Sequence, residues 1–231
     1  MINLNEKNNI VYLKGVAKTQ PEYSHSVMGE GFYEFLLEVP RLSDEVDLLP
    51  ITISERLIPE IKDLSTQIGI VGQLRSYNKL EETKSRLILT VFAREIVDPE
   101  QINISNQINI SGFVCKEPIY RTTPFGREIT DILIAVNRSY NKSDYIPCIA
   151  WGRNARFAKN LEVGEKIAIS GRIQSREYQK RFSEDDVKIL TAYEVSISKL
   201  AAYENAENFD IDEEFDLLGY SFEKEENAYI E

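Results

Sequence analysis

The chain is written twice. Asn9-Ile-Val-Tyr-Leu-Lys-Gly15 returns as Asn106-Gln-Ile-Asn-Ile-Ser-Gly112, and Leu49-Pro-Ile-Thr-Ile53 as Ile146-Pro-Cys-Ile-Ala150. Gly69-Ile-Val-Gly-Gln-Leu74 returns as Ala168-Ile-Ser-Gly-Arg-Ile173, and Ile88-Leu-Thr90 as Ile189-Leu-Thr191. The offset stays between 97 and 101 residues. A period of that size with a slight drift means a duplicated domain with small loop changes, not a solenoid. A length of 231 residues accommodates two small domains. The expected division is residues 1–98, residues 106–200 and a tail, 201–231, with a short semi-rigid linker from Asp98 to Ser105 that contains Pro99.

Strand signals dominate the second unit. Asn109–Cys115, Glu128–Val136, Tyr145–Trp151, Lys166–Gln174 and Val187–Val195 are rich in β-branched residues and alternate roughly in polarity. Between the third and fourth, Ala155, Phe157, Ala158 and Leu161 stand at helical spacing. The order β-β-β-α-β-β is the plan of an OB fold, a five-stranded Greek-key barrel. In the first unit Glu55–Leu64, after Ser54 as N-cap, is the helix candidate. Gly15, Gly72, Gly112 and Gly171 suit the sharp strand bends of such barrels. The expected fold class is all-β: two tandem OB-fold barrels and an acidic, disordered C-terminal tail.

Charge is unevenly spread. Residues 1–98 carry net −4, residues 99–200 net +3 and residues 201–231 net −10. The middle block alone is basic, so the overall −11 does not argue against a polyanion there. No apolar run approaches the roughly 20 residues of a membrane helix, and the first residues lack a signal peptide's basic and apolar regions. Cys115 and Cys148 lie in strand-like segments and read as reduced thiols, which fits a cytoplasmic protein.

Catalytic constellations are weak. His25, the only histidine, sits between two serines in a loop-like stretch, and the cysteines lack metal-ligand spacing. Gly29-Glu30-Gly31 reads as a hairpin turn, not a phosphate loop. No enzyme, cofactor or metal is expected.

Side-chain parity points to binding. In the third strand of the second unit, Ile146, Cys148 and Ala150 share the inner face, leaving Tyr145, Pro147, Ile149 and Trp151 on the outer one. In the fourth, Ile167, Ile169 and Ile173 face in, and Arg172, Gln174, Arg176 and Tyr178 face out. Tyr140 ends the second strand near Arg138 and Lys142, and Arg153 follows Trp151. Aromatic rings interleaved with cations are what a single-strand binder needs: bases stack on rings while cations track phosphates. An oligosaccharide could stack on such rings but gains little from so many cations.

These stretches carry a resemblance. Asn109–Gly112, Ile134–Tyr140, Tyr145–Arg153, Ala158–Gly164 and Ile169–Tyr178 resemble the DNA-binding domain of bacterial single-stranded DNA-binding proteins (SSB). The resemblance implies base stacking by Tyr140, Tyr145, Trp151 and Tyr178 and phosphate contacts by Arg153, Arg172 and Arg176, to which Arg138 and Lys142 add charge. It implies an assembly of four OB folds, here a homodimer, and roles in replication, recombination or repair. It also implies that the acidic tail, with Phe209 to Phe222, docks replication or repair proteins, although the family's usual Pro-Phe terminus is absent. The first unit departs from the pattern. Leu48 stands in the Tyr145 slot, Ser54 in the Trp151 slot, and Asp44, Glu45 and Asp47 follow its second strand, so only Arg75 and Tyr77 persist on its outer face. It reads as an assembly or partner-binding module. Two alternatives stay open: a primosome- or recombination-associated module that chiefly binds proteins, and an RNA chaperone.

Overall fold

The computed structural model describes residues 8–61, 63–81, 84–139, 142–181 and 187–203, the backbone alone at 79–81, 84–85, 178–181 and 187–188. The first half runs β1 (Asn9–Ala17), β2 (Glu22–Val27), β3 (Glu30–Pro40), β4 (Val46–Ser54), β5 (Gln67–Glu81) and β6 (Lys84–Val97). The second runs β7 (Asn106–Val114), β8 (Ile119–Thr122), β9 (Glu128–Asn137), β10 (Ser143–Trp151), the helix α1 (Arg153–Ala158), β11 (Lys166–Arg181) and β12 (Val187–Ala202).

In the first half the strands pair in the order β3-β4-β6-β5-β1, and β1 returns to β3 to close the barrel. The second half repeats this as β9-β10-β12-β11-β7 with β7 returning to β9. In each barrel one pairing is parallel, at Ile51 with Val91 and at Cys148 with Val195. These are two OB folds.

Alternation builds the cores. Leu37, Leu49, Ile70 and Val91 are fully or almost fully buried in the first barrel, and their repeats Ile134, Ile146, Ile169 and Val195 do the same in the second. The ladders slip by one residue at Val71/Gly72 and at Ser170/Gly171. There a Cβ would run into the carbonyl of Phe92 or Ser196, so only glycine lets the strand bend. An asparagine occupies the gap beside each bend. The Asn9 amide donates to the Leu74 carbonyl at 2.7 Å and accepts the Leu74 N–H at 3.0 Å; Asn106 does the same for Ile173 at 2.6 and 2.9 Å.

The barrels join through β1 and β7, antiparallel from Asn9 opposite Ile110 to Leu13 opposite Asn106. Val11 lies opposite its own repeat, Ile108, so the pairing has an approximate two-fold symmetry. The linker is tied down. Asp98 accepts the N–H of Glu100 at 2.9 Å, Ile102 is buried against Ile10, Tyr12 and Val71, and Lys14 Nζ donates to the Ile102 carbonyl at 2.8 Å.

Four expectations need correction. Each half has an extra short strand, β2 or β8, hairpinned onto β3 or β9; both are mostly exposed and bury no residue fully, so they lack the buried alternation that marks the others. The expected helix from Glu55 to Leu64 reduces to a 3-10 turn at Ile58–Glu60, because Pro59 has no N–H to give to the Glu55 carbonyl and Ile61 is already extended. The β2–β3 turn is centred on Met28 and Gly29, both at positive φ (50° and 87°) as a two-residue hairpin turn requires; Glu30 and Gly31 already belong to β3. His25 is in β2, not a loop, with its ring stacked on Phe32 at 5.2 Å. Residues 204–231 of the expected tail lie outside the described residues. Among those described, no helix is long and apolar enough to cross a membrane.

Candidate nucleic-acid interface

The outer face of the second barrel centres on β10. Tyr145 is 44% and Trp151 36% exposed, while Ile146, Cys148 and Ala150 are buried on the inner side, as the parity of the strand requires. Register extends the face sideways. Trp151 stands opposite Ile129 of β9, which stands opposite Arg121 of β8; Ile149 stands opposite Asp131, which stands opposite Ile119. Directly opposed residues share a face, so the buried Ile129 and Ile149 form an apolar floor beside Trp151. The Trp151 indole N–H donates to the Ser196 hydroxyl at 3.3 Å, which fixes the ring against β12.

The expected site residues divide by place. Tyr145, Trp151, Arg153, Lys142 and Arg176 are exposed around this face. Arg176 meets Glu194 at 3.7 Å with half its side chain open, a pair that a phosphate can displace at little cost. Arg172 is half-buried. It donates to Gln174 at 3.0 Å and to Asp47 of the first barrel at 3.2 Å, and its pKa is lowered chiefly by burial, with Asp47 opposing and Arg41 adding to the shift. Arg138 sits at the junction between the barrels, 12% exposed, on Asp144 at 3.3 Å. Tyr140 lies outside the described residues; of Tyr178 only the backbone is described, in β11 opposite Leu190.

Sequence reasoning missed Arg121, Phe125 and Arg127. Arg121 grips Asp131 on the outer face through Nε at 2.8 Å and Nη2 at 3.2 Å, and this carboxylate raises its pKa. Phe125 is 92% exposed at the tip of the β8–β9 hairpin, followed by Gly126 at φ 75° and the exposed Arg127. The signal was the run Arg121-Thr-Thr-Pro-Phe-Gly-Arg127, in which a turn presents an aromatic between two arginines.

The same face of the first barrel is filled in. Ser54 stands where Trp151 does, and Phe92, in the place of Ser196, packs beneath Phe32 at 5.7 Å, with His25 stacked on Phe32. Asp47 and Arg75 are not free surface charges. Asp47 is wholly buried on Arg41 at 2.6 Å, and Arg75, 14% exposed, meets Asp144 at 3.1 Å. Among the described residues no three His, Cys, Asp or Glu side chains gather as metal ligands.

The family model described as the single-strand binding protein family matches residues 105–200, the second barrel and its lead-in. A single-stranded DNA-binding protein of Caldanaerobacter subterraneus is 30% identical over 129 residues, 49% of this chain and 84% of that protein. Single-stranded DNA-binding protein B of Bacillus subtilis is 33% identical over 81 residues, 32% of this chain and 72% of that protein. With several other curated relatives the match spans only about half of their length. The single-stranded DNA binding protein of Thermus aquaticus, in its wild-type crystal structure, superposes with a TM-score of 0.66 at 19% identity, covering 84% of this chain and 92% of that one, which supports the double-barrel fold. The chain belongs to the single-strand binding protein family.

Proposed function

We propose that the chain binds single-stranded DNA without sequence preference, on the outer face of its second barrel, in support of replication, recombination or repair. The observation that carries this reading is the pair of exposed rings Tyr145 and Trp151 on one face of β10, with Ile129 and Ile149 as an apolar floor beside the indole and Arg121, Arg153, Arg172 and Arg176 around it. Bases stack on the rings for roughly 1–3 kcal/mol each, and the arginines take phosphates. Tyr140 and Tyr178 extend the stacking path, and Lys142 and Arg138 its charge. The chain works as a binder, not an enzyme, in the cytoplasm. Two copies assemble to present four OB folds, and the acidic tail from 204 onwards docks partner proteins; deleting it without losing any partner in pull-downs would refute the docking.

The test uses Trp151, the only tryptophan in the chain. Titration with oligo-dT is expected to quench its fluorescence strongly, and less so as salt rises. With about five phosphates neutralised, log affinity falls against log salt with a slope near −3.5. A folded protein with no quenching would overturn the reading.

A further inference from the structure

Two arginines share one carboxylate where the barrels meet, and a third stands beside them on the Gln73 amide oxygen that Arg75 also binds. Arg75 of β5 and Arg138, just after β9, both bind Asp144, at 3.1 and 3.3 Å. Arg94 of β6 joins them without any ion pair among the described residues. Its guanidinium lies 5.1 Å from the centre of the Phe92 ring and donates to the Gln73 amide oxygen at 3.2 Å. Burial and the charge of Arg138 lower the pKa of Arg94, and burial, with Arg138 and Arg94, lowers that of Arg75 to about 10. Among the described residues two positive charges thus stand unbalanced in a largely buried place, which is costly unless an anion arrives.

The fold does not demand this charge. The register of the parallel pairings puts Ser198 of the second barrel in the place of Arg94, where its hydroxyl donates to the Ser170 carbonyl at 2.9 Å. The location gives the surplus a use. Arg138 precedes β10, whose outer face bears Tyr145, whereas Arg75 and Arg94 lie on the outer side of the first barrel. A strand leaving Tyr145 past Lys142 meets these guanidiniums on the way to the first barrel.

We infer that Arg94, with Arg75 and Arg138, forms a phosphate site that carries the nucleic-acid backbone from the second barrel onto the first. The inference rests on the single-strand reading above. It gives the first barrel, whose stacking face is filled in, a backbone-holding role.

The test is Arg94→Gln in the full chain, with Arg94→Lys as a charge-keeping control. Trp151 titrations use oligo-dT of about 8 nucleotides, enough for one OB fold, and of about 30, enough for two. With the long oligomer Arg94→Gln is expected to make the salt slope shallower by about 0.7, one phosphate on a single strand, with no change for the short one. Arg94→Lys keeps the wild-type slope. Inorganic phosphate, against chloride at equal ionic strength, raises the Tm of the wild-type chain more than that of Arg94→Gln. In chloride Arg94→Gln melts no lower than wild type, whereas a merely structural arginine would lower Tm on removal. Wild-type quenching with an unchanged Arg94→Gln slope, or an equal phosphate effect on both chains, overturns this inference alone. Absence of quenching in the wild type overturns the single-strand reading itself.

Discussion

Asp144 of the second barrel accepts the backbone N–H of Ser76 in the first at 2.7 Å. Asp47 and Ser175 repeat the bond in the opposite direction at the same 2.7 Å. Each aspartate is wholly buried and also binds two arginines, one from each barrel: Arg138 and Arg75 for Asp144, Arg41 and Arg172 for Asp47. With the β1–β7 ladder, these twin contacts fix the barrels to each other.

Removing one side of such a network leaves buried charge uncompensated. Asp144→Asn is expected to cost about 3–5 kcal/mol of unfolding free energy, the usual penalty for breaking a buried pair by deleting one partner. Arg75 and Arg138 would then face each other with no anion between them. Urea unfolding followed by circular dichroism checks it; a loss below about 1 kcal/mol would mean that the barrels hold without the aspartate.

Trp151→Ala should separate binding from folding. The ring is about one-third exposed, and its indole N–H donates to the Ser196 hydroxyl. Affinity for oligo-dT, read by anisotropy of a labelled oligomer, is expected to fall by roughly 1–3 kcal/mol. The far-ultraviolet spectrum should not change. Equal affinity in the variant would remove Trp151 from the interface.

Much of this was legible in the sequence, because duplication and alternation are local and repetitive signals. The offset located the strands of both barrels, and parity on β10 separated the buried Cys148 from the exposed Tyr145. β2 and β8 escaped because an exposed edge strand need not alternate. The helix reading of Glu55–Leu64 failed because Pro59 overrode the N-cap signal of Ser54. Arg75 read as a surface cation since its anion, Asp144, lies in the other barrel, and Arg138 because Asp144 is buried only once the barrels meet. A clue was present: Arg41 and Asp47 stand six residues apart, and Arg138 and Asp144 repeat that spacing. Arg94 gave no comparable signal, because its surplus charge exists only once the two barrels meet.

The cysteines should differ in reactivity. Cys148 is buried, and desolvation pushes its thiol far above the ordinary range; Cys115 is also raised by burial but stays partly exposed, with its thiol donating to the Leu133 carbonyl at 3.2 Å. The thiolate is the reacting form. Iodoacetamide at pH 8 is therefore expected to label Cys115 slowly and leave Cys148 untouched until the chain is unfolded, as mass spectrometry would show. Native labelling of Cys148 at the rate of Cys115 would contradict the burial.

The two hairpin tips offer a comparison inside one molecule. Met28 and Phe125 occupy the same place in the repeats, 91% and 92% exposed, each followed by a glycine at positive φ. The next residue is Glu30 in the first hairpin and Arg127 in the second. The Phe125 turn is held by Gly126 N–H to the Thr123 carbonyl and Thr123 N–H to the Arg127 carbonyl, both at 2.8 Å, so the ring stands out on a fixed support. A strand passing Trp151 toward Arg153 runs to the same end of the barrel as this tip. Phe125→Ala is expected to weaken oligo-dT binding by about 1–3 kcal/mol, the cost of one stacked base, and Met28→Ala to leave it unchanged. Neither should move the Tm, since both side chains are almost fully exposed. Equal binding by the two variants would end the path at Trp151.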